Sequence, residues 1–284
     1  MKLGIVAVNF TGSLDVAVLA RRAEELGFES FWLPEHTVVP VNARTPYPGS
    51  VEGGIPGFMS YMVDPFVGLA RAAAVTRRLR LGTCVSLVPE HNPLVLAKRI
   101  ASLDLLSGGR FIFGVGTGWL AEEAGLFGVD FPHRWTQTRE SLLAMKALWT
   151  QPNAEFHGRY YDFPPVHSLV QPAQKPHPPI VLGGSAPNVF KRVASLADGW
   201  MPIRATPEEV SAGRDALDRL AAAAGRDPAA IEVSAYDPPP HPDNIQALKD
   251  AGAQRAVLRL PPPSGPQALV DLENIANRLS RFLS

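Results

Sequence analysis

The chain has 284 residues, 46% hydrophobic and 19% charged, with 27 basic side chains against 27 acidic ones. That profile belongs to a protein with a large buried core and argues against intrinsic disorder. A formal net charge of zero with no basic stripe gives nucleic acid no electrostatic footing. No apolar run approaches the ~18 residues of a membrane span.

Taken in order, the chain alternates short apolar runs with longer amphipathic ones, the rhythm of a parallel βα series. The pattern predicts a first strand over residues 3–8 and a helix over 14–26, where Val16, Leu19, Ala20 and Ala23 repeat at helical spacing before Gly27. A second strand spans 30–33, a helix 65–76 and a third strand 79–87. Pro93 opens the next helix, which stops at Gly108-Gly109. Then come strand 111–115, helix 135–149, strand 180–182, helix 187–197, a very short sixth strand 200–202 and helix 207–224. Strands 231–235 and 256–260, each followed by a helical stretch, complete the series. Eight strands and eight helices predict one (β/α)8 TIM barrel domain over 1–284, with insertions in its βα loops. The largest insertions are a Pro/Gly-rich excursion at 37–63 and an aromatic, proline-rich segment at 151–175 that suits a small hairpin.

Cys84 is the one cysteine, so no intrachain disulfide can form. With no apolar leader and cleavage site at the start, the expected setting is the cytoplasm.

Chemistry in such a barrel sits where strands end and βα loops begin. Those positions hold Asn9, Phe10, Glu35, His36, Cys84 to Ser86, Gly114 to Trp119, Gly183 to Ser185, and Arg204. Two are glycine-rich strand-to-helix turns, Gly114-Val115-Gly116-Thr117-Gly118 and Gly183-Gly184-Ser185. Glycine lets backbone N–H groups approach an anion, and a helix N-terminus adds donors and a positive dipole end. Tight-turn glycine explains either one alone; two in succession point to a phosphate. Neither is a dinucleotide fingerprint, because the third glycine and the downstream ribose carboxylate are missing.

Histidine's ordinary pKa, about 6.5, suits His36 to proton exchange near neutrality, or it is a loop histidine with a structural bond. The other histidines lack ligand spacing, and no metal is expected. Cys84 reads as a buried, inert thiol. Trp32, Trp119 and Trp200 suit either stacking on a ring or core packing.

Several of these segments, in order, resemble the luciferase-like monooxygenase family. They are Phe31-Trp32-Leu33-Pro34-Glu35-His36, Leu79-Arg80-Leu81-Gly82-Thr83, Ser107-Gly108-Gly109-Arg110 and Gly114-Val115-Gly116-Thr117-Gly118-Trp119. The stretches 131–140 (with Arg134 and Glu140) and 179–185, then Ala197-Asp198-Gly199-Trp200, extend the likeness over roughly residues 1–205. The family itself implies the barrel. Within it, the sequence looks most like the branch that uses the deazaflavin coenzyme F420 in place of FMN. The resemblance implies hydride transfer to or from a small organic substrate, with His36 and Glu35 beside the ring. It implies Gly116, Thr117, Gly118, Gly183, Gly184 and Ser185 around the phosphate, and a cis peptide at Cys84–Val85 behind the ring. The family position matching Glu35 is usually Asp. A homodimer is implied as well. The competing readings are a reduced-FMN monooxygenase on the same barrel and a flavin-binding protein without catalysis.

Overall fold

A computed structural model describes residues 1–8, 12–48, 54–261 and 265–283. In chain order its elements begin β1 (Lys2–Val6), α1 (Val16–Glu25), β2 (Ser30–Leu33), α2 (Pro65–Val75), β3 (Arg80–Thr83), β4 (Ser86–Leu87) and α3 (Pro93–Leu106). They continue with β5 (Phe111–Gly116), α4 (Ala121–Leu126), α5 (Arg134–Thr150), β6 (Ala154–His157), β7 (Asp162–Val166), β8 (Ile180–Gly183) and α6 (Val189–Leu196). The last are β9 (Gly199–Met201), α7 (Pro207–Ala223), β10 (Glu232–Tyr236), α8 (Pro242–Asp250), β11 (Arg255–Arg259) and α9 (Gln267–Arg278).

The main sheet runs β3-β2-β1-β11-β10-β9-β8-β5, parallel throughout. Leu81 and Gly82 of β3 pair with Phe111 and Ile112 of β5, which closes the ring. This is the expected (β/α)8 barrel. The 151–175 insertion does form a hairpin, with β6 and β7 antiparallel.

Three details differ from the sequence expectation. The third strand is not continuous over 79–87: its pairing stops at Thr83 and resumes at Ser86, with a cis peptide at Cys84–Val85 between the halves. Helix α6 starts at Val189, two residues after the expected start at 187. Helix α4 was not expected; it has six residues, includes Gly125 and has no side-chain cap at Leu120, so only the acidic first turn at Glu122 and Glu123 marks its start. Where caps exist, boundaries follow them. Asp64 and Asn92, just ahead of Pro65 and Pro93, accept from the Val67 and Leu94 N–H groups, and Thr206 with Glu209 forms a capping box on α7.

The strands are almost wholly buried because they pack on two sides. One set of side chains, including Ile5, Phe31, Leu33, Phe111 and Phe113, packs in the layer shared with the helices. The alternate set, Val6, Trp32, Cys84, Ile112, Val181, Met201 and Val257, forms a separate cluster as the barrel filling. Trp32 dominates that filling. Its Nε1 donates to Ser30 Oγ at 2.8 Å, and a Cβ at Gly4 or Gly82 would fall within 2.8 Å of its indole. Core packing is therefore the role of Trp32.

The amino ends of the strands are locked by Arg255, 1% exposed, which donates to both oxygens of Glu29 at 2.9 Å and pairs with Glu232. Burial alone would raise the Glu29 pKa, but the Arg255 hydrogen bonds and charge bring it below the usual carboxylate range. No helix among the described residues is long and apolar enough to cross a membrane.

Candidate active site

The opposite, carboxyl end of the barrel collects the remaining chemistry. His36 follows β2 and is nearly buried; its Nδ1 lies 2.6 Å from Glu123 Oε2. Glu123 is fully buried, and its other oxygen accepts from the Thr37 and Val38 N–H groups at 2.8 and 3.1 Å. The indole N–H of Trp119 donates to His36 Nε2 at 3.2 Å. An indole only donates, so Nε2 is an acceptor and the ring proton sits on Nδ1, facing the carboxylate. Glu122, next to Glu123, accepts from Arg44 N, Thr45 N and Thr45 Oγ1. The unexpected helix α4 thus ties down the long loop after β2 and sets the tautomer of His36.

Glu35 adjoins His36 in sequence but has separate partners. It is 5% exposed and accepts from Ser86 Oγ at 2.8 Å and Leu87 N at 2.6 Å, with His91 Nε2 at 2.9 Å from its other oxygen. Burial pushes its pKa up, but the hydrogen bond and charge of His91, the Leu87 N–H and the Ser86 hydroxyl bring it below the usual range. This carboxylate fastens the end of β2 to the strand half that follows the cis peptide. Such geometry fits a positioning group better than a proton donor at a ring.

The Cys84–Val85 step is where the glycine turns converge. A Cβ on Gly116 would come within 2.4 Å of Val85 Cγ2, and one on Gly183 within 3.0 Å of Val85 Cγ1. Packing against Val85 therefore requires glycine at 116 and leaves little room for a side chain at 183. Gly118 and Gly184 have φ of +78° and +101°, in the region that favours glycine, and nothing lies within 4 Å of a Cβ on Gly184. The Gly184 carbonyl accepts from Trp200 Nε1 at 2.9 Å, which fixes that turn and gives Trp200 a structural bond. Cys84 is buried with its Sγ 3.5 Å from Met201 Sδ, and burial pushes its thiol pKa up, away from reactivity. Thr117 is half-buried and Ser185 exposed. Asn9 and Phe10 lie outside the described residues.

Groups that motif reading did not assign complete the site. Arg134 of α5 donates to the Gly118 carbonyl at 3.1 Å, and Arg192, in the first turns of α6, lies over the Trp135 ring at 4.4 Å. Burial and then the Arg134 charge push the Arg192 pKa down. The two guanidinium groups repel one another, with Arg134 held at the Gly118 turn, and an anion between them would relieve both. Glu90, in the turn after β4, is 7% exposed, and among the described residues neither of its carboxyl oxygens has a hydrogen-bond partner. Burial, with the charges of Glu123 and Glu35, pushes its pKa up to about 9. Among the described residues no cluster of His, Cys, Asp and Glu is arranged to hold a metal ion.

Glycine turns open at Gly184, flanking arginines and an unpartnered acid fit a phosphate-bearing ring cofactor. A family model described as luciferase-like monooxygenase matches residues 2–273. An uncharacterised protein of Mycobacterium tuberculosis is 38% identical over 286 aligned positions, covering 99% of each chain. The F420-dependent glucose-6-phosphate dehydrogenase of Amycolatopsis mediterranei is 33% identical over 196, covering 67% of this chain and 53% of that one. The coenzyme F420 dependent tetrahydromethanopterin reductase of Methanopyrus kandleri superposes with a TM-score of 0.76 over the whole of both chains at 18% identity, a likeness of fold.

Proposed function

Because the chain belongs to the luciferase-like monooxygenase family of oxidoreductases, we propose that it transfers hydride between coenzyme F420 and a small organic substrate. The observation that carries this reading is the convergence at one barrel end of the His36–Glu123 pair, the Cys84–Val85 step and both glycine turns. The F420-dependent dehydrogenase among its relatives favours the deazaflavin. Gly118, Gly184 and Ser185, with Arg134 and Arg192, would hold the phosphate, and Val85 would back the ring. When bound, the cofactor supplies a ring carbon that gives or accepts hydride. The protein's part is the proton. Nε2 of His36 takes it from a substrate hydroxyl or returns it to a carbonyl oxygen, once substrate displaces the Trp119 N–H. Glu123 holds the imidazolium that forms. Glu35 positions the strand half that follows Val85.

Quenching of ring fluorescence, measured with F420 and FMN side by side, tests the choice of cofactor. Tighter binding of F420, with turnover that consumes no oxygen, is expected. Preference for FMN with oxygen uptake would establish the monooxygenase alternative, which the family's description favours. Binding without turnover of any substrate would leave a carrier.

The protein is further proposed to act as a homodimer in the cytoplasm. Val67 of α2 and Val95, Leu105 and Leu106 of α3 are exposed apolar side chains, and a groove of about 470 Å³ between these helices is lined by Phe66, Leu103 and Leu106. A second copy would cover this face. Sedimentation should give a dimer for the wild type and a monomer for Val95→Asp/Leu106→Asp; a dimer that survives both charges would place the interface elsewhere.

A further inference from the structure

We propose that Glu90 carries its proton at neutral pH and donates it, as a hydrogen bond, to an oxygen of the cofactor held at the Gly116–Gly118 turn. This rests on the cofactor reading above. It begins from a count of donors. Glu35 has the Ser86 hydroxyl, the Leu87 N–H and His91; Glu123 has His36 and the N–H groups of Thr37 and Val38. Those six donors support two buried negative charges. Glu90 lies close enough to feel both charges and has no donor of its own.

A third charge there would be buried, unpaired and repelled from two sides, so the carboxyl group stays neutral. A neutral carboxyl group is itself a donor, and a buried donor needs an acceptor. Among the described residues neither carboxyl oxygen of Glu90 has an acceptor within hydrogen-bond reach. A Cβ on residue 118 would stand 3.2 Å from Glu90 Oε1, so the carboxyl group lies against the bare backbone of the glycine turn. Only a residue without a side chain leaves that approach open.

The titratable and charged groups around it are Glu35, His36 and His91 beside the ends of β2 and β4, Glu123 on α4 and Arg134 on α5. Glu35 and Glu123 would repel a negatively charged ligand oxygen. A neutral donor between them offers the ligand an attractive contact without adding a third charge.

The test uses the full-length protein, F420 and FMN as probes, and the variants Glu90→Gln and Glu90→Leu. The amide of Glu90→Gln still donates but cannot ionise. The cofactor's own titration is common to wild type and Glu90→Gln, so the ratio of their affinities isolates Glu90. That ratio should stay flat near neutrality and fall about tenfold per pH unit once pH passes about 9. Glu90→Leu should bind roughly 5- to 30-fold more weakly near neutrality, the weight of one lost hydrogen bond. A pH-independent ratio, or full affinity in Glu90→Leu, overturns the proposal while leaving the cofactor reading intact. Failure of the wild type to bind either probe overturns both.

Discussion

His36→Ala is expected to lower turnover at saturating cofactor and substrate by about 10²–10⁴ fold, the usual weight of a general acid or base. The geometry gives the imidazole one direction of action. Its Nδ1–H is committed to Glu123, and its Nε2 is an acceptor that, among the described residues, meets the Trp119 indole at 3.2 Å. A substrate hydroxyl arriving at Nε2 meets a base whose protonated form already has a buried carboxylate beside it. Alanine removes the base and leaves Gly118, Gly184, Arg134 and Val85 in place, so cofactor affinity should change far less than turnover. Glu123→Gln keeps an acceptor for Nδ1–H but removes the charge, so its loss of turnover should lie between wild type and His36→Ala. Steady-state rates and fluorescence titrations on the same preparations decide the matter. A loss confined to affinity would make His36 a holder of the ring. Unchanged rate and affinity would make it a loop histidine with a structural bond.

What the sequence revealed of this site follows from which of its contacts are local. The strand-turn glycines, the Glu35-His36 pair and the alternation of strands and helices each sit in one short stretch, and a pattern can be read there. The split third strand could not be read from the sequence pattern, because Thr83 to Ser86 holds no Gly, Pro, Asn or Asp to mark a break; its cis step was legible only through the family resemblance. Glu123 was missed for another reason. It lies 87 residues from His36 on a six-residue helix with no cap, and only the closing of the barrel brings the two together. Gly116 and Gly183 were read as phosphate glycines; packing against Val85 requires Gly116 in any case and leaves little room for a side chain at 183. Trp32 and Trp200 offered two meanings, which were decided by Ser30 and Gly184, partners no local pattern names. Glu90 belongs to no local pattern, and only its surroundings make it unusual.

Those surroundings also predict how stability varies with pH. The carboxyl pKa of Glu90, ordinarily 4.5, is raised in the fold to about 9. Between those values the native protein holds a proton that the unfolded chain has released. The contribution of this group is therefore fully present below about pH 4.5 and is lost as pH rises towards 9. At 1.36 kcal/mol per pH unit, the loss by neutrality is on the order of 3 kcal/mol. Glu90→Gln removes the titration while keeping the size and shape of the side chain. Its buried amide carries its own desolvation penalty, but that penalty does not depend on pH. The stability of Glu90→Gln relative to wild type should therefore climb steadily from acid to neutral pH, by roughly 3 kcal/mol in all. Urea unfolding of both proteins at a series of pH values measures the climb, and other titrating groups cancel in the difference. Parallel stability curves would show that Glu90 ionises in the fold at its ordinary pH, with a donor that the native structure supplies.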